Sequence, residues 1–398
     1  MVRRVVITGR GTVNPLGADV PSTLAAMADG TCAIGTLTCQ DADRLSIQIG
    51  AEVRGFEPAA HFDKPQLGLL DRFAQFALVA AREAMTDAAI TLTPDRTAVI
   101  MGTSGGGFGT QNDAYRAVFQ DGKSRVHPFT VPRLMANAAA SHISMGIGVT
   151  GPTYTVSTAC ASSNHAIGQA YQMIASGMVE AALAGGAEAM LSFGGIKAWE
   201  GLRVLSPTGC RPFCSTRDGM VQGEGAAVFV LEDRDAALAR GATVYAEITG
   251  FGMTSDARDI VMPSQHGAEA AMRRALGNTA PQSVGYINAH GTGTRANDQI
   301  EVAAIRAVFG DHADHLLVSS TKSMHGHLIG AAGAVELLGC LMALDGTVPP
   351  TVGVADQDAA CDLDVVAGSA RATQIDMVLS NAFAFGGLNA VLALARPT

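Results

Sequence analysis

One short pattern occurs twice in this 398-residue chain. Ile7-Thr8-Gly9-Arg10-Gly11 returns as Ile248-Thr249-Gly250-Phe251-Gly252, after the β-prone runs Val5-Val6 and Val244-Tyr245. Each copy reads as a strand leaving into a glycine turn. Two looser echoes keep the same order. Ser157-Thr158, followed by His165-Ala166-Ile167-Gly168, is matched by Ser320-Thr321, followed by His327-Leu328-Ile329-Gly330. Ala184-Gly185-Gly186 is matched by Phe385-Gly386-Gly387. Ordered self-similarity at long spacing means two like units. The expected units are residues 1–245 and 246–398. No linker is visible between them, so they are expected to fold as one body.

Candidate strands alternate with candidate helices in both halves. The strands are 4–8, 98–101, 154–157, 181–184, 226–231, 244–248, 285–288, 316–319, 377–380 and 390–394. The helices include 70–89, 161–176, 266–276, 298–309 and 330–344. Such alternation predicts mostly parallel, buried sheets covered by helices. The composition fits, with hydrophobic residues at 48%, 46 glycines, and charged residues at 16%, below the ~25% of an average chain. Two α/β halves side by side give an α/β/α/β/α body of five layers. Lys+Arg is 27 against Asp+Glu 36, a net charge of −9. That balance argues against nucleic acid or an anionic membrane as the main partner. The longest stretch without Asp, Glu, Lys or Arg, 134–179, is broken by polar residues and cannot span a membrane. The N-terminus lacks the apolar run of a signal peptide. Seven cysteines at irregular spacing make no disulfide framework, so a cytoplasmic location is expected.

Cys160 lies in Thr155-Val156-Ser157-Thr158-Ala159-Cys160-Ala161-Ser162. A strand runs in, small residues turn the chain, and a helix runs out. A thiol there meets the helix dipole and free N–H groups, which favour the thiolate. The Cys160 N–H is also available to a developing oxyanion. The competing reading is an inert, buried cysteine. Cys210 and Cys214 form a C-x3-C pair without a second pair, too little for zinc. His290 ends the strand at 285–288 and opens His290-Gly291-Thr292-Gly293-Thr294. His327 follows Lys322-Ser323-Met324-His325-Gly326 and precedes a glycine- and alanine-rich helix. Strand ends are where α/β proteins place ligands, although each histidine alone could be structural. His290, His325 and His327 could together supply three metal ligands, but neighbouring Lys322 opposes a cation. Residues 380–389, with Phe383, Phe385, Gly386 and Gly387, suggest a tight loop with an aromatic lid.

Together these motifs resemble the elongating β-ketoacyl-[acyl-carrier-protein] synthases, condensing enzymes of the thiolase fold. The resemblance rests on the Cys160 motif, Gly185-Gly186-Ala187-Glu188, Arg211-Pro212-Phe213 with Arg217-Asp218-Gly219, 288–294, 322–327 and Phe385-Gly386-Gly387. Residues 197–200, 288–299 and 380–389 look closest to the nodulation-type branch. The resemblance implies that Cys160 carries an acyl chain and that His290 and His327 donate to the enolate of a decarboxylating malonyl group. It implies an oxyanion hole from the N–H groups of Cys160 and Phe385, with Phe385 as gate, and a supporting ion pair of Lys322 and Glu336. Thr292 and Thr294 fall at pantetheine-binding places. Gly106 and Trp199 fall at acyl-pocket places, where glycine would open volume for a long, rigid chain. Lys64, Arg72, Arg125 and Arg203 are the expected docking cations for an acyl carrier protein. No metal or organic cofactor is implied, and a dimer is expected, with an identical chain or a chain-length-factor-like homologue.

Three departures from the family pattern stand out. His325 replaces a common threonine, Ala384 replaces a glycine before the gating phenylalanine, and Leu388 replaces a threonine. A non-condensing, chain-length-factor-like subunit is the alternative function, and Cys160 counts against it. A cysteine hydrolase or a thiolase is a third reading, separated from the first by malonyl-dependent release of CO2.

Overall fold

The glycines of the first echo do not turn the chain. The computed structural model describes residues 2–397. In it Gly9 and Gly11 lie inside strand β1 (Val5–Val13), and Gly250 and Gly252 lie inside its counterpart β6 (Ala246–Ser255). A Cβ at Gly9 or Gly11 would strike the carbonyls of Ala84 or Ala80 on helix α1 (Arg72–Ala88). A Cβ at Gly250 or Gly252 would strike those of Ala275 or Ala271 on helix α5 (Gln265–Leu276). Glycine therefore lets a helix backbone rest directly on a strand in each half.

The remaining strands of the main sheet are β2 (Thr97–Gly102), β3 (Thr153–Val156), β4 (Ala181–Glu188), β5 (Gly225–Asp233), β7 (Tyr286–Asn288), β8 (Leu317–Ser319), β9 (Asp364–Val365), β10 (Met377–Ala384) and β11 (Leu388–Ala395). One half runs β1-β5-β4-β2-β3, and the other repeats that order as β6-β11-β10-β7-β8, with β9 added at its edge. Three residue pairs between β1 and β6, from Val5↔Ile248 to Ile7↔Ala246, join them into one hydrogen-bonded sheet of eleven strands.

Pairing is mixed rather than mostly parallel. β2 is parallel to β3 and β4, but β4–β5 and β5–β1 are antiparallel. Residues 189–224 return from β4 at the end where it finishes, without crossing the sheet. That end carries the cluster around Cys160.

Helices α3 (Ser162–Ala175) and α7 (Ala332–Leu344) touch each other between the two half-sheets. Helix α1 covers one outer face, with α2 (Ala138–Ile147) packed on it. Helix α5 covers the other, with α6 (Arg295–Phe309) packed on α5. Helix α4 (Phe193–Leu202), after β4, carries Trp199. These are the five layers of a thiolase-like body. Helix α7 is buried at every position, as a helix apolar all round must be, with Glu336 its one charged residue. Helix α1 starts at Asp71, whose side chain accepts the Phe73 N–H at 3.2 Å. Among the described residues no helix is long and apolar enough to cross a membrane.

The other two echoes are equivalent only in part: Ser157-Thr158 and Ser320-Thr321 both follow matching strands, β3 and β8, but what comes after them differs. His165 lies inside α3, whereas His327 precedes α7, because the second half inserts the short helix Lys322–His325 after its strand. Gly185 and Gly186 lie inside β4, whereas Gly386 and Gly387 form the β10–β11 turn at φ +83° and +69°.

Candidate active site

Each half builds an elbow on a left-handed, non-glycine residue. Ala159 has φ +49° immediately before Cys160, and Ile329 has φ +48° two residues after His327. Backbone of this kind is rare outside glycine and collects at functional sites. At the first elbow the Ser162 hydroxyl donates to the Ala159 carbonyl at 2.7 Å and accepts the Thr158 N–H at 2.9 Å. Helix α3 then begins, leaving Cys160 at its N-terminal end.

The elbows and the β7 loop bring Cys160, His290 and His327 together. All three are buried, and one donor atom from each lies within 4.8 Å of the others. Burial pushes the Cys160 thiol up to about 12, against the pull of the Lys322 ammonium and the Phe385 N–H. In the resting site, loss of water around the sulfur works against the charge and the N–H group that favour the thiolate. Burial also holds both imidazoles well below the usual histidine range, helped by Lys322.

The His327 tautomer is fixed. Its Nδ1 accepts the Ile329 N–H at 3.1 Å, so the ring proton sits on Nε2, which has no hydrogen-bond partner among the described residues. That nitrogen is a donor, unsuited to hold a cation without losing its proton. Among the described residues nothing hydrogen-bonds His290 Nδ1. His325 adds no third ligand. Its Nδ1 donates to the Gly326 carbonyl at 2.7 Å and its Nε2 accepts from Thr321 Oγ1 at 2.9 Å. Burial pushes His325 down to about 3, so it is a neutral brace for the turn before His327.

Lys322 and Glu336 form a fully buried ion pair, and the Lys322 charge acts on both rings. Burial pushes the Glu336 carboxyl up, and Lys322 opposes that rise. A cavity of about 150 Å³ opens onto Cys160, His290, His327, Thr292, Thr294 and Phe385. The two threonine hydroxyls are 2.9 Å apart. Trp199 lines the same cavity, its ring 5.8 Å from that of Phe385 and tilted by 25°.

Other expected residues lie elsewhere. Gly106 does not line this cavity. It sits in a turn at φ +60°, where a Cβ would come within 2.9 Å of Ala136 Cα. The turn and the close approach, not an open slot, account for glycine. Arg72 is no free cation. Its Nε and Nη2 donate to Glu224 at 2.9 and 2.7 Å, and Nη2 also donates to the Val53 carbonyl. Lys64, Arg125 and Arg203 are exposed and have no ion-pair partner among the described residues. Ala384 pairs with Leu388 at the end of the β10–β11 ladder, and its φ is not left-handed. The turn itself needs glycine only at Gly386 and Gly387.

The sequence reading missed the carboxylates that hold the loops. Glu301 accepts the N–H groups of His290 and Gly291, both at 2.8 Å, and an amide hydrogen of Asn381 at 3.1 Å. Asp298 accepts the N–H groups of Phe213 at 3.0 Å and Gly293 at 3.3 Å, beside buried Arg217. Their signal was two acidic residues three apart on the buried face of one helix. Val261, Met262 and Pro263 line the cavity mouth and carried no signal.

Residues 2–237 match the family description "Beta-ketoacyl synthase, N-terminal domain", and residues 245–355 match "Beta-ketoacyl synthase, C-terminal domain". The chain belongs to the β-ketoacyl synthase family. Among its relatives is "Nodulation protein E" of Rhizobium sp. (strain N33), 46% identical over 402 residues and 100% of each chain. Another is "3-oxoacyl-[acyl-carrier-protein] synthase 2" of Staphylococcus aureus (strain COL), 40% identical over 407 residues, covering 99% of this chain and 98% of that one. A solved structure described as "The ishigamide ketosynthase/chain length factor" is 33% identical, with a TM-score of 0.96 over 100% of both chains.

Proposed function

We propose that this β-ketoacyl synthase family member elongates an acyl chain by decarboxylative Claisen condensation with a malonyl thioester of an acyl carrier protein. The observation that carries this reading is the convergence of Cys160, His290 and His327 in one buried cavity, with the Phe385 N–H on the sulfur. The Cys160 sulfur attacks the carrier-bound acyl thioester, a new C–S bond forms, and the carrier leaves as a thiol. His290, with an open ring nitrogen, takes the thiol proton in this step and passes it to the departing carrier sulfur. The N–H groups of Cys160 and Phe385 receive the oxyanion.

Malonyl carrier then enters along Thr292 and Thr294. Its C–C bond to the carboxylate breaks, CO2 departs, and the electron pair becomes an enolate. His327 Nε2–H and His290 stabilise the enolate oxygen. The enolate carbon attacks the acyl-Cys160 carbonyl, a C–C bond forms, the C–S bond breaks, and the sulfur takes one proton from water, the proton that decarboxylation consumes. Metal and organic cofactors play no part in these steps.

The centre draws on both halves, 1–245 for Cys160 and 246–398 for the histidines. The carrier's acidic surface meets Lys64, Arg125 and Arg203. Strand β3 ends the sheet with an open edge, and Tyr115 and Phe119 on the helix 108–119 and Val131 on the helix 130–134 are exposed. We infer that a second chain covers this face, identical or chain-length-factor-like. A retained Cys160 makes this chain the condensing member of either pair. The odd cysteine count favours a cytoplasmic location.

The test is incubation with an acyl carrier thioester and a 13C-carboxyl-labelled malonyl carrier thioester. A β-ketoacyl carrier product with one labelled CO2 per chain supports the reading. Hydrolysis of the acyl thioester without CO2 overturns it.

A further inference from the structure

Glu188 is a buried carboxylate that the condensation leaves unused, and its partners come from both halves. It ends strand β4 and has no solvent exposure. Oε2 accepts the Ser104 N–H at 2.7 Å and the Gly330 N–H at 3.0 Å. Oε1 accepts the Gly105 N–H at 3.1 Å and the Thr103 hydroxyl at 3.0 Å. A Cβ at Gly330 would come within 2.6 Å of Glu188 Oε2, so only glycine permits this approach.

The residue before Gly330 is Ile329, β-branched and at φ +48°. For such a side chain this backbone is a genuine outlier, and it persists only where the surroundings over-determine it. Two consecutive amides do so. The Ile329 N–H donates to His327 Nδ1 at 3.1 Å, and the Gly330 N–H donates to Glu188. If the second bond is released, the Gly330 peptide can turn and Ile329 can relax to negative φ. The Ile329 N–H then swings away from Nδ1, and nothing holds the His327 proton on Nε2.

We propose that Glu188 is a positioning residue that clamps Ile329 in its left-handed conformation and so fixes the His327 tautomer. The proposal rests on the reading of His327 as a donor to the enolate. It makes one element of the first half responsible for the protonation state of a ring in the second.

The test uses the full chain with 15N-labelled histidine, the His327 signals being identified with His327→Ala. In the native protein the spectrum is expected to show a single tautomer, with Nδ1 as acceptor and Nε2 protonated. Glu188→Gln should give a mixture of tautomers and lower malonyl decarboxylation tenfold or more. Adding Ile329→Gly should restore one tautomer and most of the rate, because glycine holds positive φ without strain. An unchanged tautomer in Glu188→Gln, or a double variant no better than the single one, overturns the proposal. Should Glu188→Gln fail to fold, the double variant decides: a folded protein with one tautomer supports the clamp, and failure to fold refutes it. Native protein that shows the tautomer but releases no CO2 would instead count against the proposed function.

Discussion

His290 and His327 meet edge to face, with ring centroids 5.5 Å apart and planes at 83°. Neither ring carries charge at neutral pH, since burial and Lys322 hold both well below the usual range. The pair differs in what holds each ring. His327 is locked by the Ile329 N–H, while His290 Nδ1 is open and its backbone is tied to Glu301. A fixed donor beside an open imidazole suits a reaction that moves a proton in one half and stabilises an enolate in the other.

The two alanine variants should therefore separate. His327→Ala should lower malonyl decarboxylation by ~10²–10³-fold, the effect of deleting one oxyanion donor, and slow self-acylation less. His290→Ala should slow both, because the resting Cys160 is a thiol whose proton needs an acceptor. Single-turnover acylation and CO2 release, measured separately, check this. Equal losses from both variants in both half-reactions would contradict the division of labour.

His325 gives a pH prediction. Its folded pKa, about 3, lies below the unfolded value near 6.5, so the unfolded state binds the extra proton. Stability from this group is present above pH ~6.5 and is lost as pH falls below it. At pH 5 the loss from one such histidine is about 2 kcal/mol. His325→Thr should flatten the fall in urea stability between pH 7 and pH 5 by that amount. An identical slope would mean that His325 is protonated in the fold.

Gly106→Ile should destabilise the protein rather than shorten its products. The φ of +60° and the approach to Ala136 leave a β-branched side chain strained and crowded, at a cost of ~1–3 kcal/mol. Trp199, stacked against Phe385, is the side chain whose replacement by alanine should change acyl preference. Thermal unfolding and a panel of saturated and polyenoyl carrier thioesters check both. Shorter products from a stable Gly106→Ile variant would restore the slot reading.

The cations divide in the same way. Arg203→Glu should raise the KM for carrier-bound substrate at low salt and leave small thioester analogues unaffected. Arg72→Ala should instead lower stability, because it strands the Glu224 carboxylate, at a cost of about 1–3 kcal/mol. Kinetics at two ionic strengths and urea unfolding separate the roles. An Arg72→Ala variant of native stability with weakened carrier use would reassign it to docking.

What the sequence made legible was local chemistry on recognisable turns. Cys160 announces itself because strand, small residues and helix follow one another within a dozen positions. Two of the three echoes matched only in part, because a shared Gly-Gly sits in a strand in one half and in a turn in the other, and a shared Ser-Thr leads to His165 inside a helix but to His327 before one. The role of the loop-holding carboxylates was hidden for a different reason, although Glu188 stood in a quoted motif and Asp298 and Glu301 lie three apart on one helix. Glu188 reaches amides 84 residues behind and 142 residues ahead. A backbone N–H has no residue type to mark it. The fixed His327 proton depends on Ile329 φ, which no side-chain pattern declares.

The central claim is that Cys160 holds the growing chain until a malonyl unit removes it. Peptide mass spectrometry after incubation with an acyl carrier thioester tests this most directly, with a malonyl carrier chase. The account predicts an acyl mass on Cys160 alone, absent in Cys160→Ala, which disappears on the chase as β-ketoacyl carrier forms. An adduct on Cys210 or Cys214, or an acyl-Cys160 that the malonyl chase leaves in place, would contradict it.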